Sequence, residues 1–135
     1  MTITRQVSGM SGVFAVAEQL SLKGWIVSPT SRNAEGVDLL MTKGVGEPLA
    51  GQVKTNGIQT SDGFWLVGKN ARKSNSSLFY FFVKFHSDGR KDVYVVPSRI
   101  VSKKVYSNRT PRGVWYAIDK PSIVKFKNRY ELLDH

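Results

Sequence analysis

The chain is 135 residues long and 41% apolar, which makes it one domain able to bury a core and excludes a wholly disordered chain. It has no cysteine and only two histidines, His86 and His135, so disulfides, thiolate metal sites, cysteine nucleophiles and a three-histidine zinc centre are all excluded. Twenty lysines and arginines against ten acids give a net charge of +10, an excess that attracts polyanions, of which nucleic acid is the commonest in a cell.

The first six residues lack the hydrophobic core of a signal sequence, and the longest apolar run, Leu78 to Val83, is far too short to cross a bilayer. A soluble, cytoplasmic protein with no membrane partner is expected. Val13, Val16, Ala17 and Leu20 recur at spacings of three and four, with Phe14 widening the stripe. That spacing predicts a helix over 11–23, stopped by Gly24. Trp25 to Val27 reads as a short strand, Pro29 to Asn33 as a loop, and Val37 to Thr42 as an apolar strand carrying Asp38. A Gly/Pro-punctuated turn over 43–48 leads to a strand from Leu49 to Thr55. Asp62-Gly63 signals a hairpin that pairs this strand with Phe64–Val67. Leu78 to Phe85 is the most apolar strand and is expected at the centre of the sheet, with a turn at Ser87–Arg90 returning Asp92–Val96 antiparallel to it. Ser98 reads as the N-cap of a helix that turns Ile100, Val101 and Val105 inward. Asn108 to Gly113 is a polar loop, and Pro121 to Leu133 reads either as a helix or as an extended tail. No linker divides the chain. The order predicts a single α/β (α+β) domain over 1–135, with a central mixed β-sheet flanked by helices.

Side chains two apart on a strand share a face. Gln52 and Lys54 therefore point the same way, away from Leu49 and Val53 on the core side. If the Asp38 strand lies alongside, its carboxylate reaches the same spot. Magnesium takes oxygen ligands and keeps several waters, so the Asp38 carboxylate, the Gln52 amide oxygen and the Val53 main-chain carbonyl form a candidate metal set. Lys54 is then placed to orient or deprotonate a water, or to steady charge growing on a phosphate. Glu18, on the first helix, can aim a carboxylate at the strand ends as a fourth catalytic group. The plain alternatives are a salt bridge or an edge-strand position for Asp38, a solvated strand face for Gln52 and Lys54, and a solvated helix position for Glu18.

Basic residues cluster in two further places: Lys69, Arg72 and Lys73 in a Gly/Asn/Ser-rich loop, then Arg99, Lys103, Lys104, Arg109 and Arg112. These are the candidate nucleic-acid contacts. A third group is Lys125, Lys127 and Arg129. The aromatics Trp25, Trp65, Trp115, Phe64, Tyr106 and Tyr116 either stack on bases or fill the core, and the area they bury favours the core. His86 reads as an exposed turn residue.

Glu18, then Gly36-Val37-Asp38, then Gln52-Val53-Lys54, match in order and rough spacing the pattern of the PD-(D/E)XK nuclease superfamily, which the chain resembles. The likeness is to the branch with Gln in place of the usual Glu before x-Lys, and the stretch from Phe79 through Pro97-Ser98 is similar to small bacterial proteins of this type. The resemblance covers roughly residues 8 to 105. It implies a restriction-endonuclease-like core of αβββαβ type and Mg²⁺-dependent (or Mn²⁺-dependent) cleavage of nucleic acid, DNA foremost. It also hints at a homodimer, since cutting two strands takes two sites. The departures are the neutral Gln52, which removes one negative charge from the metal site, and Val37 where the superfamily's proline would stand. Two other functions stay open. One is a catalytically silent module of the same fold, binding nucleic acid or serving a larger defence or repair complex. The other is a basic domain that recognises an acidic protein.

Overall fold

The computed structural model describes residues 3–31 and 36–134; part of the loop expected over 29–33 lies outside them, as does His135. The first helix, α1, spans Arg5–Leu22. It begins about two turns before the hydrophobic stripe does, because Thr4 caps it, its hydroxyl accepting from the Val7 amide at 3.3 Å. Val13, Val16 and Leu20 are buried as the spacing requires, while Phe14 turns outward. Gly24 ends the helix at φ 93°, a conformation that suits glycine.

Strands β1 (Ile26–Pro29), β2 (Leu39–Thr42), β3 (Leu49–Asn56), β5 (Leu78–Phe85) and β6 (Lys91–Pro97) form a sheet in the order β1-β2-β3-β5-β6. All neighbours are antiparallel except β3 and β5, which are parallel. The sheet is therefore mixed, as expected, with β3 at its centre and β5 beside it. Helix α1 and the C-terminal segment cover one face, where Leu39, Met41, Val53, Phe81 and Val83 meet Val16 and Leu20.

The other face carries a second sheet that the sequence reading did not anticipate. The expected β3–β4 hairpin does not form. Strand β4 (Phe64–Val67) pairs instead with β8 (Gly113–Asp119), which pairs with β7 (Tyr106–Thr110). Two side chains from the main sheet hold the intervening loop away from the ladder. The Asn56 amide donates to Ser61 O at 3.1 Å and Phe64 O at 2.7 Å. The buried Lys84 ammonium donates to Gly57 O at 2.8 Å and Thr60 O at 2.5 Å. Because β3 and β5 are parallel, a long crossover must join them, and residues 57–77 supply it with β4 and a 3-10 turn over Lys69–Arg72. The segment expected as a polar loop over 108–113 is the β7–β8 hairpin. Helix α2 (Ser98–Lys104) follows β6, but Ser98 is its first residue and not its cap. Its buried hydroxyl accepts from the Asn75 amide at 3.1 Å and donates to Lys73 O at 3.3 Å, clamping the basic crossover to α2. The tail is a short helix α3 (Lys120–Ile123) followed by 3-10 turns. His86 is not an exposed turn residue: its ring packs against β6, with Nε2 2.8 Å from Asp92 Oδ2.

Gly12 fixes how closely α1 sits on β3. A Cβ there would lie 1.9 Å from Thr55 Oγ1, a buried hydroxyl with no hydrogen-bond partner among the described residues. Gly12→Ala gains about 1 kcal/mol of helix propensity, but overpacking costs about 1–3 kcal/mol. A net loss of about 1 kcal/mol is expected in urea unfolding, recovered by adding Thr55→Ala, which removes the clashing oxygen. If Gly12→Ala alone is stabilising, the helix does not need this close seat.

Candidate active site

Three of the four residues singled out in the sequence lie on one face of the main sheet. Leu39 is paired with Gly51, so Asp38, one residue before β2, lies opposite Gln52. Its amide donates to Gly51 O at 2.8 Å, continuing the ladder by one bond. There β2 stops, and the next inward-pointing donor of β3, the Val53 amide, has no strand to pair with. Asp38 supplies the partner: Oδ2 accepts from Val53 N at 2.8 Å. A backbone N–H left unpaired at this half-buried edge would be costly, so this bond explains a carboxylate at the mouth of an apolar strand. It uses one oxygen of Asp38, and the second accepts no hydrogen bond among the described residues. The segment before Asp38 is pinned by Thr30, whose Oγ1 donates to Val37 O at 2.6 Å and whose amide donates to Asp38 O at 2.9 Å.

Gln52 and Lys54 project together beside this carboxylate. With its amide turned so that both ends are satisfied, Gln52 Oε1 accepts from Lys54 Nζ at 3.1 Å and Nε2 donates to Gly36 O at 3.3 Å. Gln52 thus bridges Lys54 and the segment that carries Asp38. The strand geometry also turns the Val53 carbonyl toward the side where Asp38 caps its amide.

Glu18 is not part of this group. It stands on the exposed side of α1, and its carboxylate lies 3.8 Å from Lys91 on β6, at the opposite edge of the sheet from β1 and β2. Val16 and Leu20 take the sheet-facing positions on either side of it. The elements that do approach Lys54 are the first turns of α1 and the edge strand β4. They enclose an open groove of 690 Å³ with Arg5 and Ser8 on one wall, Phe64 and Leu66 on the other, and Lys54 and Asn56 along its floor. Among the described residues no acid lines the groove. Asp38 borders the row of site residues outside it.

The donor set is oxygen alone, the kind a magnesium ion takes. Asp38, Gln52 and the Val53 carbonyl offer oxygen alone and a single negative charge, and among the described residues no three His, Cys, Asp or Glu side chains gather anywhere. A hard cation that keeps most of its waters suits such a half-built shell.

The groove floor continues into a set of charges, buried at Lys84 and half-buried at Lys120 and Asp62. Lys84 holds the 57–62 loop from beneath, and Lys120 Nζ lies 2.8 Å from Asp62 Oδ2 at the end of that loop. The hydrogen bond to Asp62 holds the Lys120 ammonium above its ordinary value.

The basic residues converge as well. Arg72 Nη2 donates to Ser107 Oγ at 3.0 Å and its guanidinium lies 5.2 Å above the Tyr116 ring, while Ser98 ties Lys73 to α2. The turn carrying Lys69, Arg72 and Lys73 is thereby tied to α2, which carries Arg99, Lys103 and Lys104, and to the stem of the β7–β8 hairpin, which carries Arg109 and Arg112. The aromatics divide. Trp25 and Trp65 are core, whereas Phe64, Trp115 and Tyr106 form a chain of ring contacts at 6.2 Å on the outer face of the second sheet.

No family model matches the chain. No curated protein matches it either. Among solved structures it is similar to a bacterial homing endonuclease, I-Ssp6803I, with a TM-score of 0.63 and 18% sequence identity over 98% of this chain and 94% of that one. The likeness runs the length of both chains and is one of fold: an α+β domain with a mixed central sheet flanked by helices. Among the described residues no helix is long and apolar enough to cross a membrane.

Proposed function

We propose that the protein is a Mg²⁺-dependent endonuclease that hydrolyses phosphodiester bonds of DNA. The observation that supports this best is the row Asp38, Gln52 and Lys54, gathered from two strands onto one sheet face beside an open groove. The shared fold with an endonuclease adds to it. Asp38, Gln52 and the Val53 carbonyl would hold the metal, which when bound supplies positive charge to the phosphate and acidifies a coordinated water. Lys54 donates from Nζ to a non-bridging phosphate oxygen and offsets the charge that builds as water oxygen attacks phosphorus and the P–O ester bond breaks. Arg5, at the groove wall, and the basic crossover keep the neighbouring phosphates in place.

The test is nicking of supercoiled plasmid and of branched DNA by the purified protein in Mg²⁺ or Mn²⁺. Cleavage that stops with a chelator is expected; no cleavage of any such substrate in either metal would reject the reading. Gln52→Glu restores the missing negative charge, and roughly tenfold less Mg²⁺ should then give half-maximal rate, since ligand charge sets cation affinity. A higher Mg²⁺ requirement would mean that the new carboxylate is taken up by Lys54.

One observation favours a second reading, a catalytically silent nucleic-acid-binding module. The Gln52 amide oxygen is engaged by the Lys54 ammonium, which itself stands where a cation would. Duplex binding without metal-dependent cleavage would support that reading.

A further inference from the structure

We infer that the β7–β8 hairpin is a recognition ribbon that enters the major groove of double-stranded DNA tip first, with Arg112 toward the base edges of the groove floor and Asn108 and Arg109 toward its flanks. This rests on the nuclease reading for the identity of the polyanion and goes further in naming duplex DNA and sequence readout.

The ribbon's dimensions are the first argument. Its stem, residues 116–119, is paired with β4. Beyond β4 three further pairs project: Asn108 with Trp115, Arg109 with Val114, and Thr110 with Gly113. At about 3.4 Å per residue they extend about 10 Å, against a major groove about 8.5 Å deep and about 12 Å wide that admits a two-stranded ribbon. Successive strand residues face opposite ways, so Asn108 and Arg109 leave the ribbon on its two sides.

Charge is the second. Between Asp92 and Asp119 the chain has no acid, so nothing on α2 or the ribbon offsets its basic side chains. Tyr106, Ser107, Asn108 and Arg109 are all exposed, an unusual state for a strand that needs an explanation other than packing. Amide and guanidinium groups are those whose paired donors and acceptors match adenine and guanine edges.

Rigidity is the third. The tip is a two-residue turn with Pro111 first, which fixes its backbone, and Gly113 closes it at φ 125°. Thr110 Oγ1 accepts from the Arg112 amide at 3.2 Å and donates to Gly113 O at 3.0 Å. Arg72 braces the stem from the crossover through Ser107 and Tyr116. A tip held in this way loses little freedom on docking.

The experiment is selection from a randomised duplex library by the protein in EDTA, where no metal is present, followed by affinity and salt titrations on the winners. Wild type should enrich a short motif. Arg112→Lys keeps the charge and the fold of an exposed turn but not the bidentate fork, so its affinity for the selected motif should fall more than its affinity for random duplex. Its preference at one or two base pairs should fall by roughly ten- to a hundredfold. Arg72→Ala should weaken all duplexes alike. The inference is overturned if wild type enriches no motif, if Arg112→Lys selects the same motif undiminished, or if single strands, RNA or an acidic protein outcompete duplex. An enriched motif without any cleavage in Mg²⁺ or Mn²⁺ would keep the ribbon and remove the nuclease.

Discussion

Replacing Lys54 with alanine should lower metal-dependent cleavage by a factor of about 10²–10⁴, the range for losing one positioned charge or proton-transfer group. Lys54 lies in the middle strand of the main sheet, and its ammonium is presented beside Gln52 and the groove by backbone that pairs with β5. The backbone needs no lysine at this half-exposed position, so Lys54→Ala should keep its melting temperature and most of its affinity for DNA. The loss should fall on the rate at saturating substrate. Lys54→Arg keeps the charge but spreads it over a wider planar group and should recover binding without recovering the rate. Single-turnover cleavage of a labelled duplex separates the two. Equal rates for wild type and Lys54→Ala would remove Lys54 from the chemistry and with it the nuclease reading. Asp38→Asn is the companion variant. It keeps an acceptor for the Val53 amide, hence the strand end, while removing the negative charge that Asp38 brings to the site. Its activity should fall with little change in stability, whereas Asp38→Ala should lose both.

The row of site residues was legible in the sequence for a specific reason. Gln52 and Lys54 share a face by strand alternation alone, and an antiparallel neighbour one turn away brings Asp38 opposite Gln52 whenever the register is that of Leu39 with Gly51. Local pattern sufficed there. It failed where partners are distant. Phe64–Val67 alternates like any hairpin strand, and only its pairing with β8, some fifty residues on, creates the second sheet. Strand β7 carries no alternation at all, because exposed polar residues line both its faces, so it read as a loop. Glu18 illustrates another limit. Helical periodicity told which side of α1 is apolar, but the direction in which its polar side points depends on how the helix crosses the sheet, and that is set by the contact of Gly12 with Thr55. Ser98 read as a cap because serine beside proline so often is one. Its hydroxyl is instead used to join α2 to the crossover, a contact across 23 residues that no local rule contains.

Removal of the Asp92 carboxylate should cost about 3 kcal/mol at neutral pH, the scale for breaking a buried charged pair, and lower the melting temperature by roughly 10 °C. The side chain is 7% exposed, its Oδ2 takes a hydrogen bond from His86 Nε2 at 2.8 Å, and its Oδ1 lies 3.0 Å from Lys127 Nζ. Across the β5–β6 ladder it stands opposite the buried Lys84, which holds the 57–62 loop at the groove. On the other side, Lys127 and the Asn128 amide, donating to Val93 O at 2.9 Å, dock the C-terminal segment on β6. One carboxylate therefore ties the hairpin turn and the tail together, on a strand pair whose other member carries the lysine that holds the groove loop. Burial by itself pushes the Asp92 carboxyl up, but the hydrogen bonds from His86 and Lys127 and their charges outweigh it and hold the group below its ordinary value of 3.8. A carboxyl depressed in the folded state adds stability above its unfolded value of about 3.9, and that stability is lost as the pH falls through the lower folded value. In urea unfolding the gap between wild type and Asp92→Asn should be full at pH 7, nearly full at pH 5, and shrinking below about pH 4. A gap that stays constant to pH 2.5, or that widens with acid, would show that the carboxylate acts through its shape and not through its charge. With the gap present, loosening should reach the 57–62 loop before the rest of the sheet, read as faster amide exchange at Gly57 and Thr60 than at Phe81 in the Asp92→Asn protein.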